Sequence, residues 1–542
     1  VAYCWRPTCI SMQLSVLIIF CGYAAVCALP KRNLQSISFS SIGTGSSNWA
    51  RNRAELIASA KTNKSPARTK SPAEITVKLT FAALIACQGA LQHGFATGGL
   101  NCPQISICKD LGISPSSIYW SSIVSIWCVG GLLGAKASSG IADARGRRAL
   151  LSVSGVVCAI SGALQFLAGI RATSHPIASF WLLLGARLIS GAGCGAATVG
   201  VPLYLGELAP VSVRGTFGSL NQLAICTGIL GAQLCGASMQ AFTSLSWGYL
   251  LGLPAVIGLL QLAALPFVPE SPRWLMAKGF DAQAEASLRL LRPATHNVVA
   301  ELAELKADAL AAKAQPSAST TMVSLLADKS LRLPLLIAAV MTIGQQWSGI
   351  NAVFFYSTSF FAAAGLANPV LGSLLASAVN LAAIIVATPL MEVFGRKRLL
   401  LSGVGGMLFS ALALTVVLML KAVGASFVAL LDTASILCVL LFVTAFEIGP
   451  GPIPWQIGGE IFPEGPRAAA MAAAASLNWL CNAAIGLSFP AMSQRLGVFS
   501  FLPFCGVLTF WLRFTSRYVP ETKGKSLAQI QLEFAAISDA RQ

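Results

Sequence analysis

The chain has 542 residues, 55% of them hydrophobic and only 11% charged, with a mean hydropathy of +0.71. That balance excludes an ordinary soluble surface and describes an integral membrane protein. The net charge of +17 does not point to nucleic acid, because the basic residues gather in short loops such as DARGRR (143–148) and FGRKR (394–398), the bias that marks cytosolic loops.

The first 77 residues differ in kind from the rest. ISMQLSVLIIFCGYAAVCALP (10–30) is apolar and ends in small residues, and taken from Met12 it resembles a signal peptide. Residues 31–76 are rich in Ser and carry Lys31, Arg32, Arg51, Arg53, Lys61, Lys64, Arg68 and Lys70 against Glu55 and Glu74. This is the composition of an organellar transit peptide, and equally that of an unfolded cytosolic leader, so the target membrane stays open between the plasma membrane and a plastid or other organelle envelope.

From Leu79 to Phe514 twelve segments reach the roughly 20 apolar residues that cross a bilayer; they begin near residues 79, 118, 148, 178, 217, 247, 335, 371, 399, 433, 469 and 498. An even number of spans puts both termini in the cytosol, together with the charged insert after Glu270. The expectation is an all-α membrane protein: leader 1–77, a six-helix half 78–269, a cytosolic helical linker 270–333, a second six-helix half 334–517 and a cytosolic tail 518–542. Most of the fifteen cysteines, including Cys87, Cys158, Cys194, Cys226, Cys438 and Cys505, fall within spans as small apolar residues. Cys102 and Cys108, in the first external loop, are the two placed to pair.

The chain repeats itself at long period. Asp143-x-x-Gly146-Arg147 recurs as Glu392-x-x-Gly395-Arg396, offset 392−143=249; Glu207 with Arg214 recurs as Glu460 with Arg467, offset 460−207=253; and Pro269-Glu270 recurs as Pro520-Glu521, offset 520−269=251. Three charge motifs at nearly one spacing imply two six-helix halves in parallel repeat. Acids and bases at matching cytosolic ends are expected to pair across the seam when that side is shut, as a latch of Asp143, Arg145, Arg147, Arg187, Glu207 and Arg214 with Glu392, Arg396, Glu460 and Arg467.

Polar residues deep in spans are few: Gln222, Gln345, Gln346, Asn351, Asn380, Glu447, Trp455, Asn478 and Asn482. Nearly all are amides, which offer donors and acceptors without charge and so suit a neutral polyhydroxylated solute; the alternative is that they tie helices together. Pro450, Pro452 and Pro454 in EIGPGPIPWQ (447–456) break the tenth span, and Gly349 softens the seventh. Broken helices at mid-depth mark a transporter's binding site, and Trp455 adds an aromatic face for a pyranose ring.

At these residues the chain resembles the sugar porter family of the major facilitator superfamily. The likeness covers about 79–534 and rests on PLYLGELAPVSVRGTFGSLNQL (202–223), PESPRWL (269–275), QQWSGINAVFFYS (345–357), the EIGPGPIPW run and PETKG (520–524). The resemblance implies the major facilitator fold and hexose contacts from Gln222, Gln345, Gln346, Asn351, Asn380, Glu447, Trp455 and Asn482. It also implies a hexose carrier working by alternating access as a monomer, with the lipid bilayer and a small sugar as its partners and no cofactor, metal or catalytic residue. Departures are Trp347, which leaves glucose over fructose open, Ala144 in the first cytosolic motif, and His93 and Phe95 in place of first-span aromatics. Proton-coupled members carry an Asp that pairs with an Arg of the fourth span; here Ala96 holds that place, so facilitated diffusion is expected. The rivals are a symporter in which His93 takes over the proton and a sensor that binds but scarcely transports.

Overall fold

The computed structural model describes residues 75–534 apart from 211–212, 243–245, 315–324, 326–327, 329–330, 364–367, 425–426, 463, 524 and 526–528. Nearly all of the expected leader, and the end of the tail from 535, lie outside the described residues. In the first half, α1 (Val77–Gly98) starts where the Thr76 side chain accepts from the Leu79 N–H, and a short external helix α2 (Gln104–Leu111) follows. Then come α3 (Ile118–Arg145), capped by Ser117, α4 (Arg147–Arg171), α5 (Pro176–Leu208), with Pro at its first position, α6 (Arg214–Phe242) and α7 (Gly248–Ala264). A single residue, Gly146 at φ +93, turns the chain from α3 into α4, a conformation that only glycine adopts cheaply.

The linker forms α8 (Pro272–Lys278), α9 (Asp281–Leu291) and α10 (Val298–Ala314), with a small core of its own around Leu275, Met276, Ala284 and Leu288. It is tied to the membrane helices by Arg292, whose guanidinium grips Glu301 at 2.7 Å and donates to the Leu208 carbonyl at the end of α5. The second half comprises α11 (Arg332–Trp347), α12 (Ile350–Ala363), α13 (Pro369–Phe394), α14 (Arg396–Ala422), α15 (Val428–Ile448), α16 (Ile453–Ile461), α17 (Glu464–Leu496) and α18 (Leu502–Tyr518). The pairs α11–α12 and α15–α16 are each one span broken in two.

Among the described residues, ten spans are long and apolar enough to cross a membrane unaided. The first and twelfth places belong to α1, whose apolar run is interrupted by Gln88, Gln92 and His93, and to α18, which has only 17 residues with Arg513 and Arg517 near its end. Packing holds both in place, α1 against α5 and α6, α18 against α11 and α14. Cys102 and Cys108 form no disulfide with each other, which corrects the expected pairing: Cys102 Sγ turns to the Gln233 carbonyl on α6 at 3.7 Å.

Without a hydrophobic force between helices in lipid, close approach of backbones has to come from small residues. A Cβ on Gly130 would stand 2.0 Å from the Leu188 carbonyl oxygen and one on Gly195 2.1 Å from that of Gly131, so α3 and α5 touch backbone to backbone. The halves meet along two seams, α3 on α17 and α6 on α13. At the first seam a Cβ on Gly131 would lie 2.3 Å from the Trp479 indole, so that ring rests directly on bare backbone. Gly131→Ala is therefore expected to destabilise the protein by about 1–3 kcal/mol through overpacking, read as a lower melting temperature in detergent; an unchanged melting curve would show that the seam has slack.

Candidate functional site

The site grows from the two broken spans. Gly349, at φ +94, separates α11 from α12, and the Phe504 ring sits where its Cβ would be, 2.6 Å away, so no other residue fits the turn. Between α15 and α16, residues 449–452 leave the helix and expose carbonyls at membrane depth, where they need partners. Gln345 Nε2 supplies them, donating to the Pro450 oxygen at 3.0 Å and the Gly451 oxygen at 2.8 Å. Asn478 Nδ2 in turn donates to Gln345 Oε1 at 2.9 Å, Gln346 Nε2 to Asn478 Oδ1 at 3.0 Å, and Asn351 Nδ2 to Gln346 Oε1. The break brings Gln345, Gln346 and Asn351 into one chain of amides closed by Asn478.

A second cluster bridges the halves. Gln222 Nε2, from α6, donates to both Glu447 oxygens at 3.0 and 3.3 Å, Cys226 Sγ lies 3.4 Å from the same carboxylate, and the Asn380 amide lies beside it. The amide nitrogens of Gln222, Gln345, Gln346, Asn351 and Asn478 are thus engaged inside the protein. The side-chain oxygens of Asn380 and Asn482, each buried, have no protein partner. Such unpartnered amide oxygens suit a ligand rich in hydroxyl groups.

Trp455 is half-buried and, with Thr342, Gln345, Phe462, Met471 and Asn478, lines a narrow pocket that runs from the amides toward the cytosolic ends of α16 and α17. Trp347 turns away from the amides and is 42% exposed, beside Cys481. On the external side the two halves are tied together by Asn101, a residue with no motif around it in the sequence. Asn101, just beyond α1, donates from Nδ2 to the Phe354 carbonyl and accepts at Oδ1 from the Thr358 N–H, both at 3.2 Å. An unbroken helix pairs those two backbone groups with each other. Here α12 is kinked at Tyr356 (φ −127), and an amide from the other half occupies the gap.

The family profile described as "Sugar (and other) transporter" matches residues 54–534. The chain belongs to that family. It is 38% identical over 476 residues to the rat "Solute carrier family 2, facilitated glucose transporter member 3", covering 85% of this chain and 94% of that protein, and 37% identical over 475 residues to the human form, covering 85% and 93%. Among solved structures it resembles the proton:xylose symporter XylE bound to 6-bromo-6-deoxy-D-glucose (TM-score 0.73, 26% identity, 84% of this chain and 99% of that one). It also resembles the partially occluded inward open form of XylE from E. coli (TM-score 0.70, 25% identity, 83% and 100%). The protein is thus a multi-pass membrane protein with the twelve-helix major facilitator architecture.

In this transporter the repeated charge motifs build two copies of one corner. Arg147 grips Glu207 through Nε and Nη2, at 2.9 and 2.8 Å, and donates to the Ala142 carbonyl; Ser271 also donates to Glu207. Glu270 accepts from the N–H groups of Arg147, Arg148 and Ser271. Burial pushes the Glu270 carboxyl above its ordinary range, and the backbone N–H groups of Ser271, Arg148 and Arg147 oppose that rise. The second half repeats the pattern: Arg396 grips Glu460 at 3.1 Å and donates to the Met391 carbonyl, Thr522 donates to Glu460 at 2.5 Å, and Glu521 accepts from the N–H groups of Arg396 and Lys397.

These pairs join helices of the same half; the expected cross-seam contacts belong to the form with the cytosolic side shut, whereas here the pocket points to that side. Each acid sits at the end of the span that packs beside its own Gly-Arg turn. Asp143 is exposed and only 3.7 Å from Arg147 within that corner, and Arg145 is exposed at the end of α3. Arg467 donates to the Phe462 carbonyl. The side chains of Arg214 and Glu392 lie outside the described residues. Arg187 is not at a cytosolic end at all: it is buried inside α5, donates to the carbonyls of Ala96 (3.0 Å) and Ile123 (3.4 Å), and lies over the Trp127 ring.

Two outcomes follow from this geometry. Gln345→Ala is expected to weaken hexose binding by about 1–3 kcal/mol, since it strands the Pro450 and Gly451 carbonyls in the site; equal affinity in a binding titration would reduce Gln345 to helix packing. Asn101→Leu is expected to loosen the external closure, read as faster labelling of a cysteine placed at the external mouth; equal labelling rates would remove Asn101 from the closure.

Proposed function

We propose that the protein carries a neutral hexose of the glucose type across its membrane by alternating access, as a uniporter and a monomer, and that it is a carrier, not an enzyme. The observation that carries this reading is the buried set of amides at the junction of the two halves, in which Gln345 and Gln222 are held by protein partners while the Asn380 and Asn482 oxygens are unpartnered. A sugar's hydroxyls supply what those oxygens lack, and no charged group is needed to meet a neutral solute. The relatives named as facilitated glucose transporters support the substrate class. The roles of Gln222, Gln345, Gln346, Asn351, Asn380, Glu447, Trp455 and Asn482 as hexose contacts belong to this proposal.

The cycle uses parts on both sides of the site. With Asn101 seated in α12 the outside is shut, and the pocket below Gln345 points to the cytosol. Release of Asn101, with rocking at the α3–α17 and α6–α13 seams, reverses the access. The two Gly-Arg corners keep the helices of each half together as rigid bodies while the halves move, which is the role we assign to Arg147, Glu207, Arg396 and Glu460.

The uniport reading rests on Ala96. Arg187 meets the Ala96 backbone carbonyl where a coupled carrier would place a titratable carboxylate. In liposomes holding the purified protein, labelled hexose is expected to equilibrate and not to exceed the external concentration under an imposed inward proton gradient. Accumulation that collapses with an uncoupler would overturn uniport and favour a symporter; sugar binding without uptake would favour the sensor.

A further inference from the structure

Three elements from both halves converge on His93. Its ring, on α1, lies 5.2 Å from Trp127 on α3 in an edge-on arrangement and 5.1 Å from Trp479 on α17. Trp127 also meets Phe355 of α12 edge-on at 6.5 Å. Both tryptophans are at most 1% exposed, while His93 itself is only partly buried; with indoles from both halves against it, the ring lies at the junction of the halves. Trp479 follows Asn478, a member of the amide chain that holds Gln345.

The proton on the ring is fixed by its other neighbour. Thr198 Oγ1 lies 3.4 Å from His93 Nδ1, and its single hydroxyl hydrogen is already given to the Cys194 carbonyl at 2.8 Å. Thr198 can therefore only accept from the ring, which places the hydrogen on Nδ1 and leaves Nε2 with a free lone pair. Two indoles hold the ring plane and a threonine holds its tautomer. That is more positioning than packing alone requires.

We infer that His93 is a further substrate-contacting residue, its Nε2 accepting a hydrogen bond from one hydroxyl of the transported sugar. This rests on the hexose reading above and extends it: His93 adds an acceptor from the first half to the spare acceptors Asn380 and Asn482 of the second. A hydroxyl then has to sit opposite the ring, so the residue selects among sugars by the position of that hydroxyl. An aromatic of the same size would keep the packing and lose the selection.

The test is uptake of glucose and its 2-, 3-, 4- and 6-deoxy analogues by the protein in liposomes. In the wild type, removal of the hydroxyl that faces His93 is expected to raise the apparent KM about three- to tenfold. In His93→Phe that penalty disappears while those for the other hydroxyls remain, and Thr198→Val, which releases the ring, weakens the same penalty without removing any packing volume at His93. Identical deoxy patterns in wild type, His93→Phe and Thr198→Val would overturn the inference and leave His93 as a packing residue. Absence of any hexose uptake by the wild type would instead sink the transport reading on which it stands.

Discussion

The hydrogen bonds from Gln345 to the carbonyls of Pro450 and Gly451 are the interaction on which the rest of the second half depends. Hydrocarbon offers no water to a bare carbonyl, so the tenth span can break at its prolines only if some side chain reaches those oxygens. The amide that does so sits at the end of α11, itself about to break at Gly349. Each discontinuity thus supports the other. Close packing completes the arrangement: a Cβ on Gly403 would stand 2.4 Å from the Pro450 ring and one on Gly344 2.4 Å from the Trp511 indole, so α14 and α18 press the broken helices together from behind.

The duplicated corners solve a different problem. Two long helices joined by one glycine have little to fix the angle between them, and a half that flexed at that turn could not move as a body. Glu270 and Glu521 each accept from N–H groups at the start of the following helix, favourable both as charge-assisted hydrogen bonds and against the positive end of the helix. The arginine beside each turn then binds the acid at the end of a neighbouring span, Glu207 or Glu460. Ser271 and Thr522 supply the last hydroxyl in the two copies, a correspondence of residue type that survives an offset of 522−271=251 residues.

Most of this architecture is legible in the sequence because lipid enforces it. The spans declare themselves by length, their sidedness by the basic loops, and the site by amides that have no reason to be in hydrocarbon otherwise. Gln345, Gln346 and Asn351, which would not share a face on a regular helix, could be grouped only because Gly349 announced a break. What the sequence left ambiguous is pairing. Arg147 and Glu207 recur with Arg396 and Glu460, but the repeat alone does not say whether a charge bonds its own half or the other. Arg187 looks like another member of that set until its depth within α5 is known. Asn101 gave little signal, since an Asn after two glycines at the end of a span reads as an ordinary loop residue, and its meaning appears only when α12 is seen to kink opposite it.

The seat of Asn101 in α12 bears on how easily the transporter turns over. Withdrawing the amide frees the Phe354 carbonyl and the Thr358 N–H, one turn apart, and these are natural partners in a straightened helix, while Asn101 itself moves into water. Few hydrogen bonds are lost between the two arrangements; they are exchanged. Under the proposed uniport, outward and inward forms have to lie at similar free energy, because a deep minimum on either side would hold the carrier there. The kinked α12 is in that sense a balance, set so that a bound sugar molecule, not the protein's own bonding, decides when it tips.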